Sequence, residues 1–510
     1  MAANLEGSSL KRVETFKRDL EEYREDAQVP TTSAIEMAYD EKFRNRVLWK
    51  IDLHLLPMLG ALYTIAVVDR SNISVARISG LDEDVGLDAG NNASIALLVF
   101  FIGYIIFELP SNMLIHRVGA ANWLAGIALA WGLVSLGIGF LQNWIGLAIC
   151  RAILGVLEAG FFPGSPRPNR DHGLARADLR VLYNRCVYLV SSWYRRYEVQ
   201  KRLAGFWLTA TTLTAFANIL AYGLIQIAHH TTYKGWRWIF IIEGAFTCVL
   251  AILSWFVIVE FPDSDRNKFL SPEEKAFVQA RLAEDRGVEE REKVTWQVIY
   301  RTTIDWQVWA YSLMYMAGAV GYYAFSFFLP IILRKSLGYS LALSFILSAP
   351  PALFAAVEAY LVSYVADKTK KRGIFVVFQG LMGIVGLCMT GFLKHPTPRY
   401  VGTFLGIAGT SGLVVTTLAW QANNIRGDAK RAVATAVLIS MSGVGGIYSS
   451  LVFRQRDAPN YLPGIIAVMA ICCAAVATAC VSIVVLSWYN KKADEGARIN
   501  ENLEGFRYTI

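Results

Sequence analysis

The sequence predicts an all-α membrane protein in which twelve transmembrane helices form two pseudo-symmetric bundles of six. Three observations carry this expectation. Hydrophobic residues make up 55% of the 510-residue chain and charged residues only 18%, whereas a soluble protein keeps roughly a quarter of its residues charged. The mean hydropathy is +0.38. Apolar runs of about 20 residues, the length a helix needs to cross the hydrocarbon core, recur along almost the whole sequence.

Taken in order, residues 1–47 form a charged tail without the apolar core of a signal peptide, so the first span is expected to direct insertion itself. The first bundle occupies 48–260, with spans near 48–70, 93–115, 120–141, 144–164, 203–228 and 237–260. Residues 261–303, with Asp263, Glu273, Arg281 and Glu289, are too polar for lipid and form a linker. The second bundle occupies 304–488, with spans near 304–332, 340–365, 373–394, 400–421, 432–453 and 463–488, and 489–510 form a second tail. An even number of spans puts both tails on one side. Basic residues cluster in the loops after spans two, four, eight and ten (Arg117; Arg195, Arg196; Lys370, Lys371, Arg372; Lys430, Arg431), while the first opposite loop holds Asp82, Glu83, Asp84 and Asp88. The positive-inside rule therefore places both tails in the cytoplasm.

One segment breaks the pattern. Trp144–Gly164 reads as a span, but Ser165–Arg185, SPRPNRDHGLARADLRVLYNR, carries five arginines and two prolines. Each Arg near the bilayer centre costs about 2.5–3.5 kcal/mol on insertion scales. Apolar sequence resumes at Cys186 but runs too briefly to span. Two readings stand: a translated, unremoved intron of 21 residues, or a genuine loop inserted on the cytoplasmic side.

Composition also excludes some classes. The net charge of +8 comes from basic residues scattered between apolar runs, so no nucleic-acid face is expected. The seven cysteines sit mostly within apolar runs, without CxxC or metal spacing. No phosphate loop, dinucleotide fingerprint, zinc motif or nucleophile triad is present, and the GVGG at Gly443–Gly446 lies inside an apolar run. No enzyme activity, metal or cofactor is expected.

Several strings narrow the expectation: DRSNISVARISGLDEDVGL from Asp69, FELPSNMLIHRVG from Phe107, SSWYRRYEVQKRLAGFW from Ser191, GWRWIFIIEG from Gly235, FPDS from Phe261, WQANNIRGDAKRAVATA from Trp420 and DAPNYLPG from Asp457. With the six-plus-six layout, they resemble the major facilitator superfamily, and within it the fungal allantoate permease group of the anion:cation symporters. That group includes transporters of nicotinate, pantothenate, biotin and allantoate. Two departures stand out: the Ser165–Arg185 segment, and a loop between spans two and three reduced to HRVGAANW, whereas SYVADKTKKRG from Ser363 keeps the expected signature better. The resemblance implies a monomeric plasma-membrane carrier that takes up a small organic anion with protons by alternating access. The remaining alternatives are a transporter-derived nutrient sensor, and a transport-inactive product of the broken fourth span.

Ionisable residues inside spans are costly and mark function. Arg70 can pair bidentately with a carboxylate, and the resemblance implies substrate binding there; the alternative is an interfacial arginine paired with Asp69. Arg151 and Glu158 are seven residues apart, on one helical face and too distant to pair directly. The resemblance implies that such an Arg and Glu handle substrate and proton, against a purely helix-locking Arg151. Asp69 and Glu358 are the other candidate proton-coupling acids. Tyr322, Tyr323, Gln421 and Asn424 are further candidate substrate contacts, against packing and interhelical hydrogen bonding. Glu108 with Arg117, and Asp367, Lys368 and Arg372, are expected to form the cytoplasmic gate.

Overall fold

The structure, a computed structural model, describes residues 40–118, 120–160, 163–164, 183–184, 193–194, 196–258, 269–286, 295–369, 371–458, 460–502 and 505–510; of 108–118, 120–121, 163–164, 183–184, 196–208, 211, 280, 282–286, 428 and 502 it describes the backbone only. Twelve long helices follow one another among these residues: α1 (Glu41–Ala76), α2 (Asn92–Val118), α3 (Ala120–Ile138), α4 (Trp144–Ala159), α5 (Arg196–Ile225), α6 (Gly235–Val257), α7 (Trp306–Ile331), α8 (Ala349–Thr369), α9 (Arg372–Phe392), α10 (Pro396–Asn424), α11 (Asp428–Val452) and α12 (Leu462–Asp494). Nine helical stretches among the described residues are long and apolar enough to cross a membrane, and Asn92–Phe107 and Asn122–Ile138 are shorter apolar helices.

The two halves repeat one packing scheme. Helix α2 lies on α4, α3 on α6 and α1 on α5, and six helices later α8 lies on α10, α9 on α12 and α7 on α11. Between the halves, α2 meets α11 and α5 meets α8, contacts that the same offset interchanges. The repeat extends to local backbone. Both α1 and α7 end in a wider π turn, at Arg77–Leu81 and Ile332–Ser336, and each is followed by a glycine at positive φ, Gly86 at 76° and Gly338 at 77°.

In lipid there is no hydrophobic drive between helices, so close packing rests on small residues that let backbones approach. A methyl group built on Gly155 of α4 would lie 2.0 Å from the Phe100 carbonyl oxygen of α2. One on Gly244 of α6 would lie 2.4 Å from the Leu136 nitrogen of α3, and one on Gly386 of α9 would lie 2.1 Å from the Gly406 nitrogen of α10. These contacts fix the helix pairs that carry the polar residues described below.

Helix α4 differs from expectation. Asn143 caps its start, accepting from the Gly146 amide at 2.8 Å. The helix ends at Ala159 rather than near residue 164, with the Gly160 amide donating to the Leu157 carbonyl at 3.0 Å. Two short antiparallel strands follow, β1 (Pro163–Gly164) and β2 (Tyr183–Asn184), pairing Gly164 with Tyr183. The other residues of the Ser165–Arg185 segment lie outside the described residues.

The linker and the final residues are docked on the bundle. In the linker, Glu274 accepts from Lys50 at 2.9 Å and from the Ser271 amide at 2.8 Å. Burial pushes its carboxyl up, but these hydrogen bonds and the Lys50 charge outweigh it and hold it below the usual carboxylate range. A depressed folded-state value means that this contact stabilises the fold at neutral pH and loses its contribution as pH falls through that lowered value.

Residues 489–510 depart from a simple polar tail. Helix α12 continues to Asp494, and the chain then turns back so that Phe506 and Tyr508 are buried. The Thr509 amide and hydroxyl both donate to Asn424 Oδ1 at 2.8 Å, and the Thr509 carbonyl accepts from Asn424 Nδ2 at 3.0 Å and Trp420 Nε1 at 2.8 Å. Asn424 Nδ2 also donates to the Tyr311 hydroxyl at 2.8 Å. This corrects the expectation that Asn424 contacts substrate: its amide is occupied in fastening the last residues. Removing it leaves several buried partners unpaired, at about 1–3 kcal/mol for each group left unsatisfied. Asn424→Ala is expected to lower the melting temperature of the purified protein measurably, and the half-buried neighbour Asn423→Ala to change it little; equal effects would contradict the docking role.

Candidate functional site

The close approach of α2 and α4 at Gly155 sets one wall of the site. On α4, Arg151 and Glu158 are two turns apart on the buried face, 3% and 2% exposed. Glu158 forms an ion pair with Arg70 of α1. Arg70 also donates from Nη1 to the Tyr323 hydroxyl of α7 at 3.3 Å, and its guanidinium lies 5.5 Å from the Phe100 ring centre and 5.7 Å from that of Tyr104. One side chain thus joins both halves: an ion pair to α4, a hydrogen bond to α7, and cation–π contact with α2. The alternative pairing of Arg70 with its neighbour Asp69 is not what the structure contains.

Arg151 is placed differently. Its Nε and Nη2 are buried without a hydrogen-bond acceptor among the described residues, although Asp69 and Glu158 lie within electrostatic reach. Buried guanidinium donors left unpaired carry a full desolvation cost. Asp69 is buried and accepts from Ser135 of α3 at 3.0 Å and from Asn72 at 3.4 Å. The same Asn72 amide donates to Glu243 of α6.

Two cavities adjoin this network. The smaller is lined by Arg70, Phe100, Phe101, Tyr104 and Tyr323, with Ser442 of α11. The wider is lined by Tyr322, Ser71, Asn218, Ser326, Ser348 and Ser411 together with apolar residues such as Phe325 and Leu329, and by no charged group. Tyr322 and Tyr323 are successive residues on α7, one facing each space.

Other expected residues stand apart. Gln421 is buried on α10, one turn before Asn424, and its amide has no hydrogen-bond partner among the described residues. Glu358 accepts from Gln379 of α9 at 2.8 Å, inside the second half and away from the arginines. Asp367 pairs with Arg372, which ties α8 to α9 within one half, and Lys368 is exposed. This differs from a gate that bridges the halves. Glu108 and Arg117 lie on the part of α2 whose side chains are outside the described residues.

A bridge between the halves does form at the opposite end, beside the Asp82–Asp88 loop, and the sequence reading missed it. Arg77 donates to Asp82 at 2.8 Å and to Gln455 of the second half at 2.8 Å, while Lys335 lies 3.9 Å from Asp82. Gln455 in turn donates to Asp88 at 3.0 Å. Arg77 stands at the start of the π turn, whose widened backbone follows directly on α1. Glu243 was also missed, although it is a lone acid in an apolar run, the signal that singled out Glu158.

Comparisons with known proteins agree with this architecture. Residues 59–167 and 182–450 match the family model described as the Major Facilitator Superfamily. The interruption, 168–181, falls within the arginine-rich segment. The chain is 29% identical over 449 residues to the Major facilitator-type transporter hxnP of Emericella nidulans, covering 86% of this chain and 85% of that one. It is 29% identical to the MFS-type transporter cnsO of Penicillium expansum, covering 84% and 80%. Among solved structures, it resembles an inward-facing, occupied bacterial homologue of the human lysosomal transporter Spinster (TM-score 0.60, 15% identity, 87% of this chain and 97% of that one). It also resembles the partially occluded, inward-open xylose transporter XylE of E. coli (TM-score 0.59, 15% identity, 84% and 97%).

Asp82→Ala removes the acceptor shared by Arg77 and Lys335. Loss of about 1 kcal/mol of closure raises the open population about fivefold. In a cysteine-free background carrying Tyr323→Cys, labelling by an impermeant maleimide from the loop side is expected to rise accordingly; unchanged labelling would contradict the closure.

Proposed function

The chain belongs to the Major Facilitator Superfamily and is a membrane transporter of that type, and we propose that it takes up a small organic anion together with protons, by alternating access. The observation that carries this reading is the pairing of Arg70 with Glu158 beside Arg151, whose buried Nε and Nη2 lack an acceptor among the described residues. Two fixed positive charges, one held by an acid and one under-satisfied, form a receptor for a carboxylate.

The chemistry follows from competition. A substrate carboxylate entering the space beside Arg70 takes the guanidinium from Glu158, with Phe100, Phe101, Tyr104 and Tyr323 enclosing its body. An ionised Glu158 stripped of its cation in a dry site is costly, so it takes up a proton. Opening to the other side reverses both exchanges, and substrate and proton leave together. The bridge of Arg77, Asp82 and Gln455 closes the outer end while this occurs. The loop charges support cytoplasmic tails, and the sequence strings support membership of the anion:cation symporter family, within its allantoate permease group, and uptake at the plasma membrane. Asp69 belongs to the coupling network, and Glu358 is a separate acid of the second half.

The arginine-rich segment is an addition to this frame. The pairing of β1 with β2 brings Gly164 beside Tyr183, so the flanks of the insertion lie together, and the family match is interrupted between them, at 168–181. Uptake by a chain lacking Ser165–Arg185 is expected to equal or exceed that of the full chain; loss of uptake on excision would contradict it.

The site itself is tested in yeast with radiolabelled nicotinate, pantothenate and allantoate, each at two external pH values. A hydrogen bond to a charged group contributes about 1.5–3 kcal/mol, so Arg70→Lys is expected to lower uptake roughly 10- to 100-fold. Glu158→Gln is expected to weaken the dependence on external pH. Wild-type transport in both variants would overturn the assignment.

A further inference from the structure

Glu243 has no part in the exchange described above, yet it is tied directly to it. It lies on α6 beside Gly244, where the close approach to α3 holds the helix against the Ser135 turn. Its Oε2 accepts from Asn72, and its Oε1 is buried with no hydrogen-bond partner among the described residues. Asn72 itself is 1% exposed, and its one amide nitrogen also donates to Asp69. A side-chain amide nitrogen carries two hydrogens, so a single group bridges two carboxyls and holds them close together.

We propose that Asp69 and Glu243, joined through Asn72, form a second proton-binding pair of the transporter, distinct from Glu158. This deepens the proton-coupled reading and rests on it. The geometry of charges supports the assignment. Glu158 lies against Arg70 and within reach of Arg151, Asp69 lies within reach of Arg151, and Glu243 joins them through Asn72, which makes three carboxyls for two guanidiniums. The guanidiniums stay charged. With all three acids ionised the cluster carries an uncompensated negative charge in a dry interior, and one proton makes it neutral. Glu158 has Arg70, and Asp69 has Ser135 and lies within reach of Arg151. Among the described residues, Glu243 has only the neutral amide as a hydrogen-bond partner. Helix α3 contributes no ionisable group to this contact, and on α6 itself Arg237 is turned to the Gly139 carbonyl at 2.9 Å and stacked on Trp236. Arg77, beyond the end of α1, is engaged by Asp82 and Gln455. Two carboxyls so close share a proton, as like charges side by side do not both ionise readily. The proton binds to a carboxylate oxygen of the pair and leaves from it to water, with no other bond made or broken.

The pair also changes what a substrate anion demands. A bound monocarboxylate adds one negative charge, so the cluster is neutral with two protons rather than one. One is the proton that Glu158 gains on losing Arg70, and the other resides on the Asp69–Glu243 pair.

The test needs no substrate. The purified full chain is reconstituted in lipid, and infrared difference spectra are recorded between acid and alkaline buffer, reading the carbonyl stretch of protonated carboxyl groups. The wild type is expected to show a titrating carboxyl band that is absent in Glu243→Gln and displaced in Asn72→Ala, which leaves both acids in place but removes their bridge. Glu243→Gln spectra identical to wild type would overturn the proposal. Should Glu243→Gln fail to fold, an unshifted band in Asn72→Ala would overturn it in the same way. Uptake of nicotinate, pantothenate and allantoate at two pH values separates the two ideas: a pH-independent wild type defeats the proton-coupled reading, whereas a pH-dependent wild type with a pH profile unchanged in Glu243→Gln defeats only this pair.

Discussion

A charged side chain inside a membrane bundle has to be matched by an opposite charge or by hydrogen bonds, because water is absent and removal of one partner strands the other. The ion pair between Arg70 and Glu158 meets that requirement across α1 and α4, and Arg70 extends it to Tyr323 of the second half. Anything that takes Arg70 away alters the charge state of α4 and the contact between halves at once. In the proposed cycle, binding and conformational change are coupled through this one guanidinium.

The packing around this pair differs within and between the halves. Within each half, glycine contacts bring backbones together at Gly155 on Phe100, Gly244 on Leu136 and Gly386 on Gly406, leaving little slack between helices. Between the halves, Gly446 also closely approaches the Phe101 ring, and side-chain polar contacts join Arg70 to Tyr323, Arg77 to Gln455, Gln455 to Asp88, Lys335 to Asp82 and Asn218 to Ser348. Such contacts exchange more readily than interlocked backbones. The same six-helix offset that relates α2–α4 to α8–α10 relates α2–α11 to α8–α5, so an opening motion at one end has a counterpart at the other.

The architecture was legible because a bilayer leaves a strong record: span length, loop charge and the polar linker all follow from the absence of water in lipid. Arg70, Arg151 and Glu158 were legible by the same rule as ionisable residues inside spans. Their pairing was not, since spacing on α4 separates Arg151 from Glu158 but cannot say that α1 supplies the partner. Asn424 was misread because a polar residue near the end of a span looks alike whether it meets substrate or the chain's own last residues. The bridge at Arg77 was missed because its partner Gln455 is 378 residues away and its geometry depends on a π turn that composition does not announce. Glu243 needed only the rule already applied to Glu158.

Simultaneous recording of anion uptake and external pH in cells expressing the chain without Ser165–Arg185 probes the exchange at Arg70 most directly. With nicotinate, pantothenate or allantoate supplied as the anion, uptake should be accompanied by alkalinisation of the medium, with both signals lost together in Arg70→Ala. Uptake that proceeds with no proton movement, or that survives the loss of Arg70, would contradict the coupling of carboxylate binding to proton binding.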